Sequence, residues 1–515
     1  MGDGYDAVRC YQPGPLPTRV IDVGASKGPD EIRVIQTDGT QSERYTTLSH
    51  CWGTAYSLSP PKLLRSNATE WYNFSDAQRL PSTYKDAITL TRLLGVRYLW
   101  IDSLCIIQDD EDDWRRESSK MASIYRNSYL TIAATAAEHS GIGCFSRASA
   151  SSHVTRTRTK YEVMRQESKE TYIRLPPNEI TSLLSSPLYK RAWTLQEICL
   201  SKRRVHFADD QMYWQCQTRT CSEDGLLSAP TSSVTPSLLD SLVGTPNSMR
   251  TWWSWVEDYS NRKLTVQSDR LVAFAGITKY FEEQTGNTAV VGLWEDEIVS
   301  NLLWYTQNPA AFSPRGIPSW SWFNIDGQVT RPTFRDPRYW NCKRIQNLKV
   351  IRIEVKWAGE RLVSDLTRSN ILVTGQIATF IHVDASDDHT LRWEQKDWIF
   401  RIIRSLAPEG PQVDWCKAYC CFDLGSDSFR FFHGRICCLR VETLASYDHE
   451  RNVPGNIYEV LIVEQLGVLN GDEFPSYRRM GVGSIELGFT PESVGKLDEF
   501  ERQIFKEPAM ELYLV

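Results

Sequence analysis

With 515 residues, 41% of them hydrophobic and 24% charged, the chain has the balance of a soluble globular protein and is too long for one ordinary core, so two or three domains are expected. Its 58 Lys+Arg against 64 Asp+Glu leave a mildly acidic balance without a long basic block, which argues against sequence-independent binding of nucleic acid. No apolar run approaches ~18 residues, so no membrane span is expected.

The N-terminus, MGDGYDAVRCYQPGP, lacks the charged-then-apolar pattern of a secretion signal. Thirteen scattered cysteines then read as reduced, mostly buried thiols, and a cytoplasmic location is expected. Eighteen tryptophans belong mostly to cores or pocket walls, because that many exposed indoles would drive aggregation.

In chain order, residues 1–44 read as an N-terminal arm, Pro/Gly/Asp-rich, with one strand-like piece, EIRVIQ. Residues 45–220 alternate strands and helices, the pattern of a doubly wound parallel sheet. Tyr45–Cys51 is a strand entering a turn at Trp52 and Gly53. Pro81–Gly95 is a helix with Gly95 as its stop, and Arg97–Asp102 is a short strand ending on an acid. The acidic run Asp109–Asp113 favours a helix N-terminus, which Trp114, Ser118, Met121 and Tyr125 continue at helical spacing. Tyr129–Ala137 is the next strand.

A basic insertion with Arg156, Arg158, Lys160 and Arg165 precedes the stretch SPLYKRAWTLQEICL, Ser186–Leu200. Here Ser186 and Pro187 suit a helix start, and Tyr189, Trp193 and Glu197 share one face at i, i+4, i+8. A carboxylate on a helix otherwise committed to burial must be paired, solvated by a cleft or used in chemistry. The bland alternative for Glu197 is an ion pair with Arg191, Arg203 or Arg204. Residues 221–348 read as a helical, Trp-rich region, and 349–515 as a β-rich C-terminal module.

Other constellations are weaker. His50 and Cys51 are neighbours on a strand and point to opposite faces, so a cysteine-dependent hydrolase would need a second histidine, of which His206 is the nearest. Cys416, Cys420, Cys421, His433, Cys437 and Cys438 cluster in sequence without a CxxC pair, and no metal site is expected. Asp102 reads either as a cap for the turn after its strand or as a ligand-orienting acid, and Glu117 as a solvated side chain.

Three blocks, YTTLSHCWG at Tyr45–Gly53, the long segment Tyr98–Ala137, and RAWTLQEICLSKRRVHF at Arg191–Phe207, together resemble the HET (heterokaryon incompatibility) domain of filamentous fungi. DRLVAFAGI at Asp269–Ile277 and PSWSW at Pro318–Trp322 resemble elements that often follow it. The resemblance implies a role in fungal nonself recognition and programmed cell death. A second resemblance is to TIR domains. Their first strand ends in a Ser before a Gly-containing loop, as at Ser49 and Gly53, and Ser186, Tyr189, Trp193 and Glu197 fit the register of their S-x-x-Y-x-x-S-x-W-C-x-x-E-L helix, while Ala192 and Thr194 depart from it.

That similarity implies a flavodoxin-like (TIR-like) α/β fold and cleavage of NAD, as substrate and not as cofactor, at its nicotinamide–ribose bond. Glu197 would be catalytic, and Ser49, His50, Trp52, Gly53, Asp102, Arg191 and Trp193 would line the pocket. The rival expectation is a non-enzymatic module that oligomerises or recognises a protein trigger. A homo-oligomer is compatible with either.

Overall fold

The computed structural model describes residues 13–24, 31–53, 60–73, 75–145, 154–157, 171–174, 181–230, 248–306, 316–331, 343–381, 398–399, 415–423, 435–448, 453–469, 472–488 and 501–515 except 503 and 506. The chain forms two compact units. The first is Met1–Thr251 with Arg262–Thr265 and Val272–Thr285; the second is Trp252–Asn261, Val266–Leu271 and Gly286–Val515.

The first unit is a mixed α/β body around a ten-stranded sheet. Its strands are β1 (Arg19–Asp22), β2 (Glu31–Gln36), β3 (Tyr45–Ser49), β4 (Ser75–Asp76), β5 (Tyr98–Trp100), β6 (Leu130–Ala133), β9 (Arg203–Phe207), β10 (Met212–Cys216), β11 (Arg219–Ser222) and β12 (Ser228–Pro230). A separate hairpin, β7 (Val154–Thr157) and β8 (Thr171–Arg174), stands in the insertion before the Glu197 region. Arg158, Lys160 and Arg165, and the Arg156 side chain, lie outside the described residues.

Four strands are parallel, in the order β5-β3-β6-β9. Of these, β3, β5 and β6 are buried along their whole length, which is why they read without alternation, whereas β9 buries only Arg204, His206 and Phe207. Their threonines are tolerated because each hydroxyl is paired. Thr46 meets Thr91 at 2.6 Å, Thr47 meets Thr131 at 2.8 Å, and Thr131 also meets Ser201 at 2.6 Å. Antiparallel ribbons extend the sheet on both sides, through β1, β2 and β4 at one edge and β10–β12 at the other. Two stretches of the N-terminal arm are therefore strands of the sheet. Arg19 of β1 is buried and reaches Asp113 with both guanidinium nitrogens, at 2.9 and 2.6 Å.

The helices α1 (Ala68–Tyr72), α2 (Ser82–Leu93), α3 (Asp102–Cys105), α4 (Glu111–Ser118), α5 (Met121–Asn127), α6 (Thr181–Leu184) and α7 (Trp193–Leu200) connect these strands. The expected helix at 81–95 forms and buries Tyr84, Ala87, Ile88 and Thr91, with Gly95 beyond its end at φ +65°. Two expected helices are broken. The one spanning Trp114 to Tyr125 divides between α4 and α5, and Glu117, expected in solvent, is buried with Lys120 Nζ at 3.1 Å. The stretch Ser186–Leu200 is a 3-10 turn at Leu188–Lys190, then an extended Arg191 (φ −92°, ψ 135°), then α7. The break moves Tyr189 off the Glu197 face and into a cluster with Leu183, Ile198, Tyr213 and Leu227.

The helix α8 (Ser248–Ser260) is followed by α9 (Val272–Thr285), which packs on α5 and α7 within the first unit. That contact accounts for the glycine of DRLVAFAGI. A Cβ at Gly276 would stand 2.4 Å from the Ala122 Cβ and 2.6 Å from the Gln196 side-chain oxygen. Gly276→Ala is therefore expected to destabilise the first unit by roughly 1–3 kcal/mol, read as a lower thermal midpoint, whereas a neutral result would mean that α9 can slide.

The second unit is β-rich. Strands Lys343–Gln346, Arg435–Asp448, Val453–Gly467, Ser476–Gly488, Met510–Leu514, Leu366–Gly375 and Lys349–Trp357 follow one another across its sheet, all antiparallel except the pairing of Ser476–Gly488 with Met510–Leu514. Its core holds Trp252, Trp253, Trp255, Trp294, Trp304, Trp320 and Trp322, all buried. The PSWSW segment is fixed by backbone contacts: the Ser321 hydroxyl donates to the Val291 carbonyl at 2.7 Å and the Trp322 indole N–H to the Gly292 carbonyl at 2.7 Å. Of the clustered cysteines, Cys437 and Cys438 are described, while His433 and the side chains of Cys416, Cys420 and Cys421 lie outside the described residues.

Candidate functional site

The sequence that ends β3 runs straight into the site. Ser49, the last residue of the strand, donates its hydroxyl to Glu197 Oε2 at 2.5 Å. Glu197 itself is 5% exposed, on the inner face of α7. The Tyr125 hydroxyl of α5 lies between the Leu48 carbonyl, at 3.2 Å, and the same carboxylate. None of the three arginines proposed as ion-pair partners takes Glu197. Arg191 donates to the His50 carbonyl, Arg204 to the Ile198 and Ser201 carbonyls and to Gln215, and the Arg203 guanidinium lies over the Tyr129 ring.

A second carboxylate shares this end of the sheet. Asp102 follows β5 and opens α3; one oxygen accepts the Ser103 backbone N–H at 2.7 Å, the other the Trp52 indole N–H at 3.0 Å. Asp102 therefore caps its turn and also holds the Trp52 indole. Lys62 Nζ stands 5.1 Å over the Trp52 ring, which fixes that indole from a second direction. Gly53 follows at φ +95°, a backbone that any side chain would strain. Trp193 begins α7 one turn before Glu197, half-buried, with its ring edge-to-face on Trp114 at 6.2 Å.

These positions set the electrostatics. Burial, with the Asp102 charge adding to it, pushes Glu197 up to about 7, against the Ser49 and Tyr125 hydroxyls and the Arg191 charge. Burial also raises Asp102, against Arg191. His50 is held down at about 3, first by burial and then by Arg191, so it is neutral at physiological pH. Arg191 is thus the cation near two carboxylates, yet its guanidinium bonds a backbone carbonyl.

The sequence reading missed two tyrosines, Tyr84 and Tyr125. Tyr84 lies within the expected 81–95 helix and Tyr125 continues the spacing from Trp114, and their hydroxyls gave no signal until the strand ends were placed. Tyr84 is buried and bridges His50 Nε2, at 3.0 Å, and Ser103 Oγ, at 2.6 Å. It ties the loop after β3 to the start of α3. Tyr84→Phe leaves two buried polar atoms without that partner and should cost about 1–3 kcal/mol in an unfolding experiment; an unchanged midpoint would show that the bridge is dispensable.

Cys51 and His206 do not form a nucleophile and its base. Burial raises the Cys51 thiol, and His206 spends its ring nitrogens on Thr135, at 3.2 Å, and Gln215, at 3.3 Å. Among the described residues no group of three or more His, Cys, Asp or Glu is placed to hold a metal ion.

Residues 45–197 match the family model described as Heterokaryon incompatibility protein (HET). The chain carries a HET domain. The matched segment begins at β3 and ends on Glu197 itself, so both partners of the 2.5 Å bond lie within it. The HET domain is associated with heterokaryon incompatibility and cell death. No curated protein and no solved structure matches the chain. No helix among the described residues is long and apolar enough to cross a membrane.

Proposed function

We propose that the HET domain of this chain is a cytoplasmic cell-death effector that cleaves NAD at the nicotinamide–ribose bond, with Glu197 as its catalytic carboxylate. The observation that carries the reading is the buried Glu197, without an ion-pair partner among the described residues, bonded to Ser49 at the carboxyl end of a parallel strand. The parallel strands follow one another as second, first, third and fourth in chain order, which supports a flavodoxin-like, TIR-like arrangement. In open α/β sheets ligands bind beyond the carboxyl ends of the strands where the order reverses. Ser49 and Ala133, neighbours in the sheet, end the two strands at that reversal.

The chemistry fits such a site. As the C1′–N bond breaks, its electron pair goes to the nicotinamide nitrogen and positive charge develops on the ribose C1′ and O4′. Water then adds to C1′ and gives its proton to solvent, which leaves nicotinamide and ADP-ribose. A carboxylate held close to the ribose stabilises that charge, as in glycoside hydrolysis. Trp52, oriented by Asp102 and Lys62, offers a ring for stacking. Purified full-length protein, at concentrations that favour self-association, is expected to release nicotinamide and ADP-ribose in equal amounts. No release from folded, oligomeric protein would overturn the assignment and favour the assembly reading.

A further inference from the structure

The segment that breaks the expected helix is held from outside the matched HET residues. Lys263 N–H donates to the Lys190 carbonyl at 2.7 Å, and its own carbonyl accepts the Ala192 N–H at 2.9 Å, so Arg191 and Lys263 form a parallel bridge. Next to it, Arg262 is 7% exposed, with its guanidinium over the Tyr189 ring at 5.5 Å. Its Nη1 reaches Thr194 Oγ1 at 3.1 Å and the Arg191 carbonyl at 3.4 Å. The Thr194 hydroxyl in turn lies 2.8 Å from the carbonyls of Leu188 and Arg191.

The Lys190 carbonyl and the Ala192 N–H, which a continuous helix would have paired internally, are thus engaged sideways by Lys263. Arg191 stays extended and its side chain is sent across to the His50 carbonyl. Resting on the function proposed above, we infer that Arg262 is a positioning residue for the Glu197 site, fixing the extended backbone of Arg191 and through it the cation that faces the two carboxylates. Arg262 touches neither carboxylate, so its influence runs through Thr194 and Arg191. The strap Arg262–Thr265 is then part of the functional domain, although the matched segment stops at residue 197.

The experiment compares wild-type full-length protein with Arg262→Ala, Arg262→Lys and Thr194→Val. Arg191 lowers Glu197, so its displacement raises the acid that must be ionised for catalysis. In Arg262→Ala the acidic limb of nicotinamide release against pH is expected to move toward alkaline pH, so that release at pH 6 falls about tenfold more than at pH 8.5. Arg262→Lys should recover most of the wild-type profile. A second readout separates this inference from the NAD assignment: infrared titration of the Glu197 carboxyl band, identified by its absence in Glu197→Gln, needs no substrate.

If wild type releases no nicotinamide, the reaction is wrong, and the infrared midpoint still decides the positioning. A midpoint raised in Arg262→Ala and restored in Arg262→Lys supports it. An unchanged midpoint in folded Arg262→Ala overturns it. If Arg262→Ala does not fold, Thr194→Val, which keeps the shape but removes the acceptor oxygen, carries the same comparison with a smaller shift, and no shift overturns the inference.

Discussion

Glu197→Gln is expected to lower nicotinamide release by about 10²–10³-fold, while the protein stays folded. The size follows from the role: removing a group aimed at transition-state charge in a water-poor site costs on the order of 10²–10³ in rate, and Glu197 is the carboxylate bonded to Ser49. The substitution keeps the side-chain length, and its amide oxygen still accepts the Ser49 hydroxyl. Packing beside Leu195 and Ile198 is preserved. An effector that acted by assembly alone would keep its function in this variant. Residual release within tenfold of wild type would remove Glu197 from the chemistry.

The second expectation concerns stability and has an unusual sign. Glu197 sits at about 7 in the folded protein, above its ordinary value of 4.5. Between these values the unfolded chain binds fewer protons than the native one, so stability falls as pH rises. The contribution of protonated Glu197 is complete below about pH 4.5 and is lost as pH passes through 7. Glu197→Gln carries no such charge and should be more stable than wild type at pH 8, by about 3 kcal/mol, while matching it near pH 4.5. His50 and His206, both held near 3, act in the opposite sense. They must gain protons on unfolding below about pH 6.5, which destabilises the fold in acid. The difference between wild type and variant cancels their effect. Thermal midpoints measured from pH 4.5 to 8 check this. Parallel curves would mean that the buried carboxylate is not raised, and its chemistry would need another account.

Much of the site was legible before any coordinates. Ser49, His50, Trp52 and Gly53 are consecutive or nearly so at the end of one strand, and Asp102 follows the next, so a parallel sheet must bring them to one side. Glu197 stood out because a lone acid among Leu195, Ile198 and Leu200 has a high cost of burial. The tyrosine partners were not legible, because a hydroxyl at the tip of an apolar stripe looks the same in sequence whether it meets water, a histidine or a carboxylate.

Periodicity also misjudged two helices. The pattern persists through Ser119–Lys120 and through Arg191, but at Arg191 local spacing carries no information about the competing backbone partner, Lys263. The sequence by itself determined the alternation of strand and helix, the apolar parallel strands and the isolated acid at 197, since these follow from burial and local conformational preference. Only the tertiary structure decided that Arg191 is extended, that Glu117 is buried, that strands of the N-terminal arm join the sheet, and that Arg262 and Gly276 pack against residues of the matched segment. Each depends on hydrogen bonds or close packing between residues tens of positions apart, where long-range contacts override propensity.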